Sequence, residues 1–280
     1  MAGFLGMFNF EKPGRGIEKD APQKRGFFMF FDILLRRFWR IMTLSLSYTL
    51  LSVPQIVIFF FVSLFLQAFL GFYEDASVTI YVSIYATLFF TCFLGMGPSG
   101  AGHTYVLRNF ARDDHSWPWE DCWSNYKSNF RQSIAVFLLD IVVVSVLVGA
   151  AWLYLSGALP LPLPPIVTAC FGLLALLALL VYIMMHSFLY VLMVTFDMKL
   201  GTLFRTAFSM TMAKLLPCML LYAIAAGVFA LFMALYFVNT VFIALFAALG
   251  FSLVWFICTY YATTAVDAFK IEADRRAGAE

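Results

Sequence analysis

The fold is decided by stretches such as residues 215–237, which read LLPCMLLYAIAAGVFALFMALYF. No charged residue interrupts this run, and as an α-helix it would be about 35 Å long at a rise of about 1.5 Å per residue. Because a helix satisfies its own backbone hydrogen bonds, an apolar run of this length can cross the roughly 30 Å of hydrocarbon in a bilayer. The stretch therefore predicts a transmembrane helix.

Five further runs of the chain have the same character. Hydrophobic residues make up 63% of the sequence and charged residues 12%, whereas a soluble domain has roughly 45–50% and roughly 25%. This composition disfavours a soluble enzyme, a nucleic-acid-binding protein and a disordered chain, since so much apolar surface requires lipid around it. We predict an all-α integral membrane protein with amphipathic interfacial helices on the cytoplasmic side and six transmembrane helices, arranged as three hairpins, at residues 41–70, 78–96, 133–155, 166–195, 215–237 and 241–264.

The basic residues predict the orientation of these spans. All 18 Lys and Arg fall before the first span, between the second and third, between the fourth and fifth, or after the sixth. Because basic residues are retained on the cytoplasmic side of a membrane, all four segments and both termini are expected there. The predicted domains are a basic cytoplasmic segment at 1–26, one membrane domain at 27–269 with an interfacial and cytoplasmic segment at 97–132, and a cytoplasmic tail at 270–280.

Three segments that lead into spans resemble one another, which predicts an internal threefold repeat. Each runs from a basic or polar amphipathic stretch into a long apolar one. Aligned from their first residues, the segments bring Tyr48, Asp140 and Tyr222 into register. The three segments are residues 31–51, 123–143 and 205–225.

The amphipathic segments contain the residues expected at the membrane interface. Before the first span, arginines interleave with phenylalanines, which suits a helix whose apolar face lies in the acyl boundary and whose guanidinium groups meet phosphates. A plain continuation of the first span into water fits equally well. The tryptophans between spans two and three are typical of residues that anchor a protein at the membrane interface, and they could also form a partner-docking surface. The alternative is that this segment simply folds at the interface without binding a partner. The residues predicted to contact headgroups or a partner are Arg36, Arg37, Arg40, Arg108, Arg112, Trp117, Trp119, Trp123, Lys127 and Arg131.

One acidic residue, Asp140, lies inside an apolar run. A carboxylate there costs on the order of 2.5–3.5 kcal/mol, so we expect it to be neutral, paired or facing a cavity. Tyr48 and Tyr222 are candidate hydrogen-bond donors to it, and His186 in the fourth span would form a titratable couple with it. These four residues are the predicted intramembrane polar site. One hypothesis is that the site is a proton or cation relay. The alternative is that Asp140 is a packing residue that sets the helix register and that His186 bonds to a backbone carbonyl.

No pattern in the sequence indicates an enzyme or a metal site. The five cysteines are far apart, and we find neither paired carboxylates nor a nucleophile beside a base. Residues 95–100, GMGPSG, fit G-x-G-x-x-G, but the dinucleotide motif requires a preceding strand. Gly97 and Pro98 instead predict a helix break at the membrane surface, with Pro98 in the first turn of the next helix. We expect no catalysis, no cofactor, no metal and no nucleic acid.

Residues 97–133 read GPSGAGHTYVLRNFARDDHSWPWEDCWSNYKSNFRQS. They combine Gly97-Pro98, a Tyr-Val-Leu-Arg run at 105–108, Trp119-x-Asp121 and Lys-x-Asn-Phe at 127–130. This combination resembles the YesL family of bacterial membrane proteins, although Gly102 stands where that family usually has Ala. The resemblance implies a six-span, multi-pass protein of the bacterial plasma membrane.

The resemblance also implies a functional setting. The YesL family is often linked with carbohydrate ABC importers and plant-polysaccharide use. We therefore expect an accessory or scaffold protein beside such an importer, in contact with its permease subunits and with a bilayer of anionic headgroups. The alternative is a transporter or channel for a small solute, with Asp140 in its polar intramembrane site.

Overall fold

The computed structural model describes residues 26–70, 97–156, 164–238 and 250–277. Within these ranges all regular structure is helical, which confirms the all-α class. The helices are α1 (Gly26–Arg36), α2 (Phe38–Leu70), α3 (Pro98–Ala111), α4 (Pro118–Ser128), α5 (Phe130–Ser156), α6 (Pro165–Met193), α7 (Leu200–Ala213), α8 (Leu215–Val238) and α9 (Phe251–Ala277).

Three of the described helices are long and apolar enough to cross a membrane, which indicates a membrane protein. They are Phe130–Ser156, Pro165–Met193 and Leu215–Phe232, and they coincide with the third, fourth and fifth predicted spans. The first predicted span lies within α2. The second predicted span, the beginning of the sixth and most of the N-terminal segment lie outside the described residues. Six spans in three hairpins, the domain bounds and the location of both termini remain predictions.

Proline marks the beginning of three helices. Pro98, Pro118 and Pro165 stand in the first turns of α3, α4 and α6. The proline ring fixes φ near its helical value, and the missing N–H is one that a helix start leaves without an intrahelical partner. Gly97, just before α3, has a φ of +52°, a left-handed conformation that favours glycine. The predicted break at Gly97 and Pro98 is thus the start of α3, while the residues before it lie outside the described part of the chain.

A one-residue turn joins a short helix to a long one at three described places. The turns are Arg37 between α1 and α2, Asn129 between α4 and α5, and Lys214 between α7 and α8. Each turn residue keeps its own i→i−4 backbone bonds on both sides: Arg37 N–H donates to the Ile33 carbonyl and Ile41 N–H donates to the Arg37 carbonyl, both at 2.9 Å. The backbone N–H and C=O groups of the three turn residues therefore stay paired where one helix ends and the next begins.

When the three long helices are aligned on their turn residues, the residues that correspond differ from those in the sequence alignment. At the same distance in sequence from its bend, Asp140 corresponds to Tyr48 in α2, but to Ala225 in α8 rather than to Tyr222. Asp140, Tyr48 and Ala225 are all buried, at 0%, 5% and 1% exposure. Tyr222 lies about one turn earlier on α8. The internal repeat itself remains a prediction.

The core lies where α3 meets α2, α6 and α9. α3 is buried along nearly its whole length, and its first turns consist of small residues that allow other helices to approach closely. A Cβ atom at Gly102 would lie 2.3 Å from the Cys122 carbonyl oxygen, so the backbones of α3 and α4 are in contact. α5 packs along α6, and α7 packs against α6. These contacts hold the segment 97–132 against the long helices.

Candidate functional site

Three side chains form a buried polar cluster between α5 and α6. His186 Nε2 lies 2.8 Å from Asp140 Oδ1, and the Tyr182 hydroxyl donates to the same oxygen at 2.7 Å. The side chains of Asp140 and His186 are fully enclosed, at 0% exposure. The structure thus brings two residues of the predicted polar site together and adds Tyr182, which sequence reasoning missed. Tyr182 precedes His186 by one helical turn, and this i, i+4 spacing was the available signal.

The hydrogen-bond partners fix the number of protons that the cluster holds. His186 Nδ1 lies 2.9 Å from the Tyr182 carbonyl oxygen, and a carbonyl only accepts, so Nδ1 carries a hydrogen. One further proton must then lie between Nε2 and the Asp140 carboxyl oxygen that it faces. The pair is either an imidazolium beside a carboxylate or a neutral imidazole beside a carboxylic acid. Both forms have no net charge, which reduces the cost of burying them in apolar surroundings.

The other two residues of the predicted polar site lie elsewhere. The Tyr222 hydroxyl on α8 donates to the Ile183 carbonyl at 3.0 Å and lies 2.6 Å from the Ser187 hydroxyl. The Tyr48 ring stacks on Phe251 with ring centroids 4.2 Å apart. Both hydrogen bonds to the Asp140 carboxyl come from α6 instead, because α6 is the helix that packs along α5.

A second buried polar group lies among α2, α3 and α9. His103 Nε2 is 2.8 Å from the Ser252 hydroxyl, and the Ser52 hydroxyl donates to the Ser99 hydroxyl at 3.0 Å. Burial lowers the pKa of the His103 imidazole to about 3, so this ring is neutral near pH 7. Sequence reasoning assigned His103 no role, because its partner on α9 is distant along the chain.

Two arginines that were expected to contact headgroups or a partner are buried. Arg108 on α3 is 8% exposed and donates to the Val194 carbonyl at 2.6 Å. Arg37 at the first bend is 9% exposed and donates to the carbonyls of Asp114 at 2.6 Å and Asp113 at 2.8 Å. A guanidinium has five N–H donors, and carbonyls at chain turns satisfy them well. These two arginines therefore form hydrogen bonds within the protein and are not free to contact headgroups or a partner.

Arg112 and Arg36 form ion pairs at the edge of the same region. Arg112 donates to both carboxylate oxygens of Asp267 on α9, at 2.5 and 3.0 Å. Arg36, whose side chain is 53% exposed, lies 2.7 Å from Asp113 Oδ1. Desolvation raises the pKa of the Asp113 carboxyl, but the hydrogen bonds and charges of Arg36 and Arg37 outweigh it and lower that pKa. Asp113 has a φ of +63°, which non-glycine residues adopt rarely, so the arginines hold an unusual turn.

The tryptophans that were expected to meet the interface or a partner are exposed on and beside α4. Trp117 is 60%, Trp119 45% and Trp123 40% exposed. The Lys127 ammonium lies 4.4 Å from the centre of the Trp123 ring, a cation–π contact. We call Trp117, Trp119, Trp123 and Lys127 the tryptophan surface. A shallow groove of about 540 Å³ runs along it. Of the other predicted contact residues, Arg40 and Arg131 are exposed.

The beginning of α4 is held by an acidic side chain. The Ser116 hydroxyl and the Trp117 backbone N–H donate to Asp121 Oδ2 at 2.6 and 2.8 Å, which satisfies an N–H group that the helix start leaves unpaired. The next residue, Cys122, is buried against Gly102 of α3, and burial raises the pKa of its thiol to about 12. One face of α4 is therefore fixed while the tryptophan surface points away from the core.

Among the described residues, the two features that stand out are the buried cluster of Asp140, Tyr182 and His186 and the exposed tryptophan surface. In the four described ranges, no group of three or more His, Cys, Asp or Glu is placed to hold a metal ion. The described cysteines Cys122, Cys170, Cys218 and Cys258 are free thiols.

Residues 78–149 match the family whose description reads "Protein of unknown function, DUF624". The matched part is a minor share of the chain, but it contains α3, α4 and most of α5, and with them Asp140 and the tryptophan surface. That family includes YesL-type membrane proteins. Comparisons with curated proteins and with solved structures found no match. The resemblance is thus supported at the level of this wider family.

Proposed function

We propose that the protein is an accessory or scaffold protein of the bacterial plasma membrane, without catalysis of its own, that binds a permease subunit of a carbohydrate ABC importer. The observation that carries the proposal is the tryptophan surface, which places three exposed tryptophans and a lysine on and beside α4. The link to carbohydrate import rests on the resemblance of residues 97–133 to the YesL family.

The tryptophan surface lies on a preorganised platform. The backbone contact at Gly102 holds α3 against α4. Arg37, between α1 and α2, donates hydrogen bonds to the turn after α3, and Arg112 at the same turn donates to Asp267 on α9. A surface that is ordered before binding loses less conformational entropy when a partner binds, so more of the contact energy contributes to affinity.

The chemistry of α4 suits a protein partner better than lipid headgroups. Tryptophan is among the residue types that contribute most binding energy at protein interfaces. Glu120 lines the same groove as Trp119, Trp123 and Lys127, and an anionic headgroup layer repels a carboxylate. A rim with charges of both signs around aromatic residues is typical of protein interfaces. We therefore expect a partner with apolar pockets and complementary charges.

Affinity purification at native expression level tests this proposal. We expect importer permease subunits to co-purify with the native chain. Recovery should fall at least tenfold for the double variant Trp119→Ala/Trp123→Ala, because binding hot spots contribute about 2 kcal/mol or more each. Trp39→Ala is the matched control, since Trp39 is 74% exposed on α2 and lies outside the groove. Repeated recovery of no permease subunit, or an equal loss with Trp39→Ala, contradicts the proposal.

A transporter or channel for a small solute is the second candidate function. The pair of Asp140 and His186 favours it, because buried acid–base couples that share a proton serve in proton relays. Solute flux into proteoliposomes under a proton gradient is the test. We expect Asp140→Asn to abolish flux and Ser145→Ala, a polar change on the same helix, to preserve it. Flux that survives Asp140→Asn unchanged removes this candidate.

Six spans with both termini in the cytoplasm are part of the proposal. Support comes from the one-sided placement of all 18 basic residues and from three candidate spans at expected positions. Labelling of single cysteines in intact cells with a membrane-impermeant reagent tests it. We expect Glu74→Cys to react from outside and Arg131→Cys to react only after the membrane is opened. Reaction of both from the same side contradicts the topology.

A further inference from the structure

A small groove lies at the bend between α7 and α8. Its volume is about 120 Å³. Three helices form its apolar walls: Phe188 of α6, Met210 and Ala213 of α7, and Ala265 and Phe269 of α9. Ser209 and Lys214 add a hydroxyl and an ammonium group to the lining. We call this cavity the α7 groove.

Lys214 places a positive charge at the height of lipid headgroups. It forms the one-residue turn before α8 and is exposed, and α8 begins with a candidate membrane span. Basic side chains that flank a span lie at the interface between hydrocarbon and water. Residues 198–214 include Lys199, Arg205 and Lys214 but no acidic residue. The α7 side of the groove therefore presents positive charge at Lys214 and no carboxylate.

The apolar walls suit the upper methylene groups of an acyl chain. An apolar cavity of about 150 Å³ takes up a benzene molecule, so a groove of about 120 Å³ has room for a few methylene groups. Phe269 at the groove is 56% exposed, and an acyl chain would cover this aromatic surface. A phosphate at the headgroup end would meet both the ammonium of Lys214 and the hydroxyl of Ser209.

We propose that the α7 groove binds one anionic phospholipid, with its phosphate at Lys214 and Ser209 and the first methylenes of one acyl chain between Phe188 and Phe269. The groove along the tryptophan surface differs from the α7 groove because a carboxylate, Glu120, lines it and because all of its lining residues come from α4. The lipid site depends on membrane insertion of α8 and is independent of importer binding.

Native mass spectrometry of the full-length protein in detergent tests the proposal, with added phosphatidylglycerol as the probe. We expect a one-to-one adduct with the native chain. The affinity for phosphatidylglycerol should be about fivefold lower in Lys214→Gln, the factor that one lysine contributes near an anionic surface. Arg205→Gln is the matched control, because Arg205 is exposed on α7 and outside the groove. Ala213→Phe should fill the groove and weaken the adduct at least as much, whereas Ala223→Phe, at an exposed alanine of α8, should not.

Two further probes separate the headgroup from the acyl chain. Phosphatidylcholine should bind at least fivefold more weakly than phosphatidylglycerol, and inorganic phosphate alone should give no adduct. Equal binding of the two lipids, or equal losses in Lys214→Gln and Arg205→Gln, would overturn the proposal. Phosphate binding as tight as lipid binding, or full binding by Ala213→Phe, would also overturn it. Thermal unfolding of each variant shows that a lost adduct does not reflect a misfolded protein.

Discussion

Replacing Arg37 with alanine tests whether the first bend fixes the turn after α3. Arg37 donates to the Asp114 carbonyl at 2.6 Å, the Asp113 carbonyl at 2.8 Å and the Asp113 carboxylate at 2.7 Å. Its guanidinium carbon also lies 5.0 Å from the centre of the Phe110 ring. The alanine variant loses all four contacts, while Arg36 keeps its own contact with the Asp113 carboxylate.

The expected loss follows from these contacts. A hydrogen bond from a charged donor contributes about 1.5–3 kcal/mol when nothing replaces it. Asp113 and Asp114 are exposed, so water replaces part of each bond and the two carbonyl contacts together contribute about 2 kcal/mol. The carboxylate contact adds little, because Arg36 still pairs with the Asp113 carboxylate in the variant. The cation–π contact adds about 0.5–1 kcal/mol. We therefore expect Arg37→Ala to lower the free energy of unfolding by about 2–3 kcal/mol.

Equilibrium unfolding in mixed micelles measures this loss. Arg36→Ala is the matched control, because Arg36 is the neighbouring residue and contacts the same carboxylate but has a side chain that is 53% exposed. A surface ion pair contributes about 0–1 kcal/mol, so the control should lose no more than that. Arg37→Lys should recover only part of the loss, since lysine lacks the planar fork of donors. Equal losses for Arg36→Ala and Arg37→Ala would refute the reasoning.

Three further predictions concern other parts of the structure, and unfolding measurements test each of them. Asp140→Leu leaves two buried donors without an acceptor and should lower the free energy of unfolding by about 2–5 kcal/mol. Asp140→Asn should lower it by less than half as much, and equal losses would contradict the shared-acceptor geometry. Gly102→Ala should cost about 1–3 kcal/mol because its methyl group would lie 2.3 Å from a carbonyl oxygen, whereas Gly201→Ala, with nothing within 4 Å, should stabilise by up to about 1 kcal/mol. Because the folded-state pKa of Asp113 lies below its ordinary value of 3.8, its stabilising contribution is complete above that value and lost as the pH falls through the folded-state pKa. Acidification should therefore lower the free energy of unfolding of the native chain more than that of the Asp113→Asn variant. Parallel curves of this free energy against pH would contradict the prediction.

Hydropathy was sufficient to locate the long helices where they are described. The predicted spans at 133–155 and 215–237 lie within α5 and α8, because a charge-free run of this length has no other way to satisfy its backbone in lipid. The bends were harder to place. Hydropathy marks the beginning of the fifth span at residue 215, directly after Lys214, but it does not show that Lys214 is a one-residue turn. The alignment therefore placed Tyr222 opposite Asp140 instead of Ala225.

The polar site was predictable only in part, for an energetic reason. Asp140 and His186 were identifiable because polar groups are costly inside an apolar run, and the structure places them 2.8 Å apart. The donor Tyr182 depends on how α5 and α6 pack, which one sequence does not show. Arg37 and Arg108 have the sequence signature of headgroup contacts, yet their carbonyl partners come from distant parts of the chain.

Photocrosslinking from the tryptophan surface in living cells tests the central claim most directly. A photoreactive benzophenone amino acid would replace Trp123, which is 40% exposed on α4, and in a separate strain Trp39, which is 74% exposed on α2. After irradiation, mass spectrometry identifies the covalent adducts. We expect an importer permease subunit to be captured from position 123 and not from position 39. Adducts with lipid alone, or the same proteins captured from both positions, would contradict a docking role for this surface.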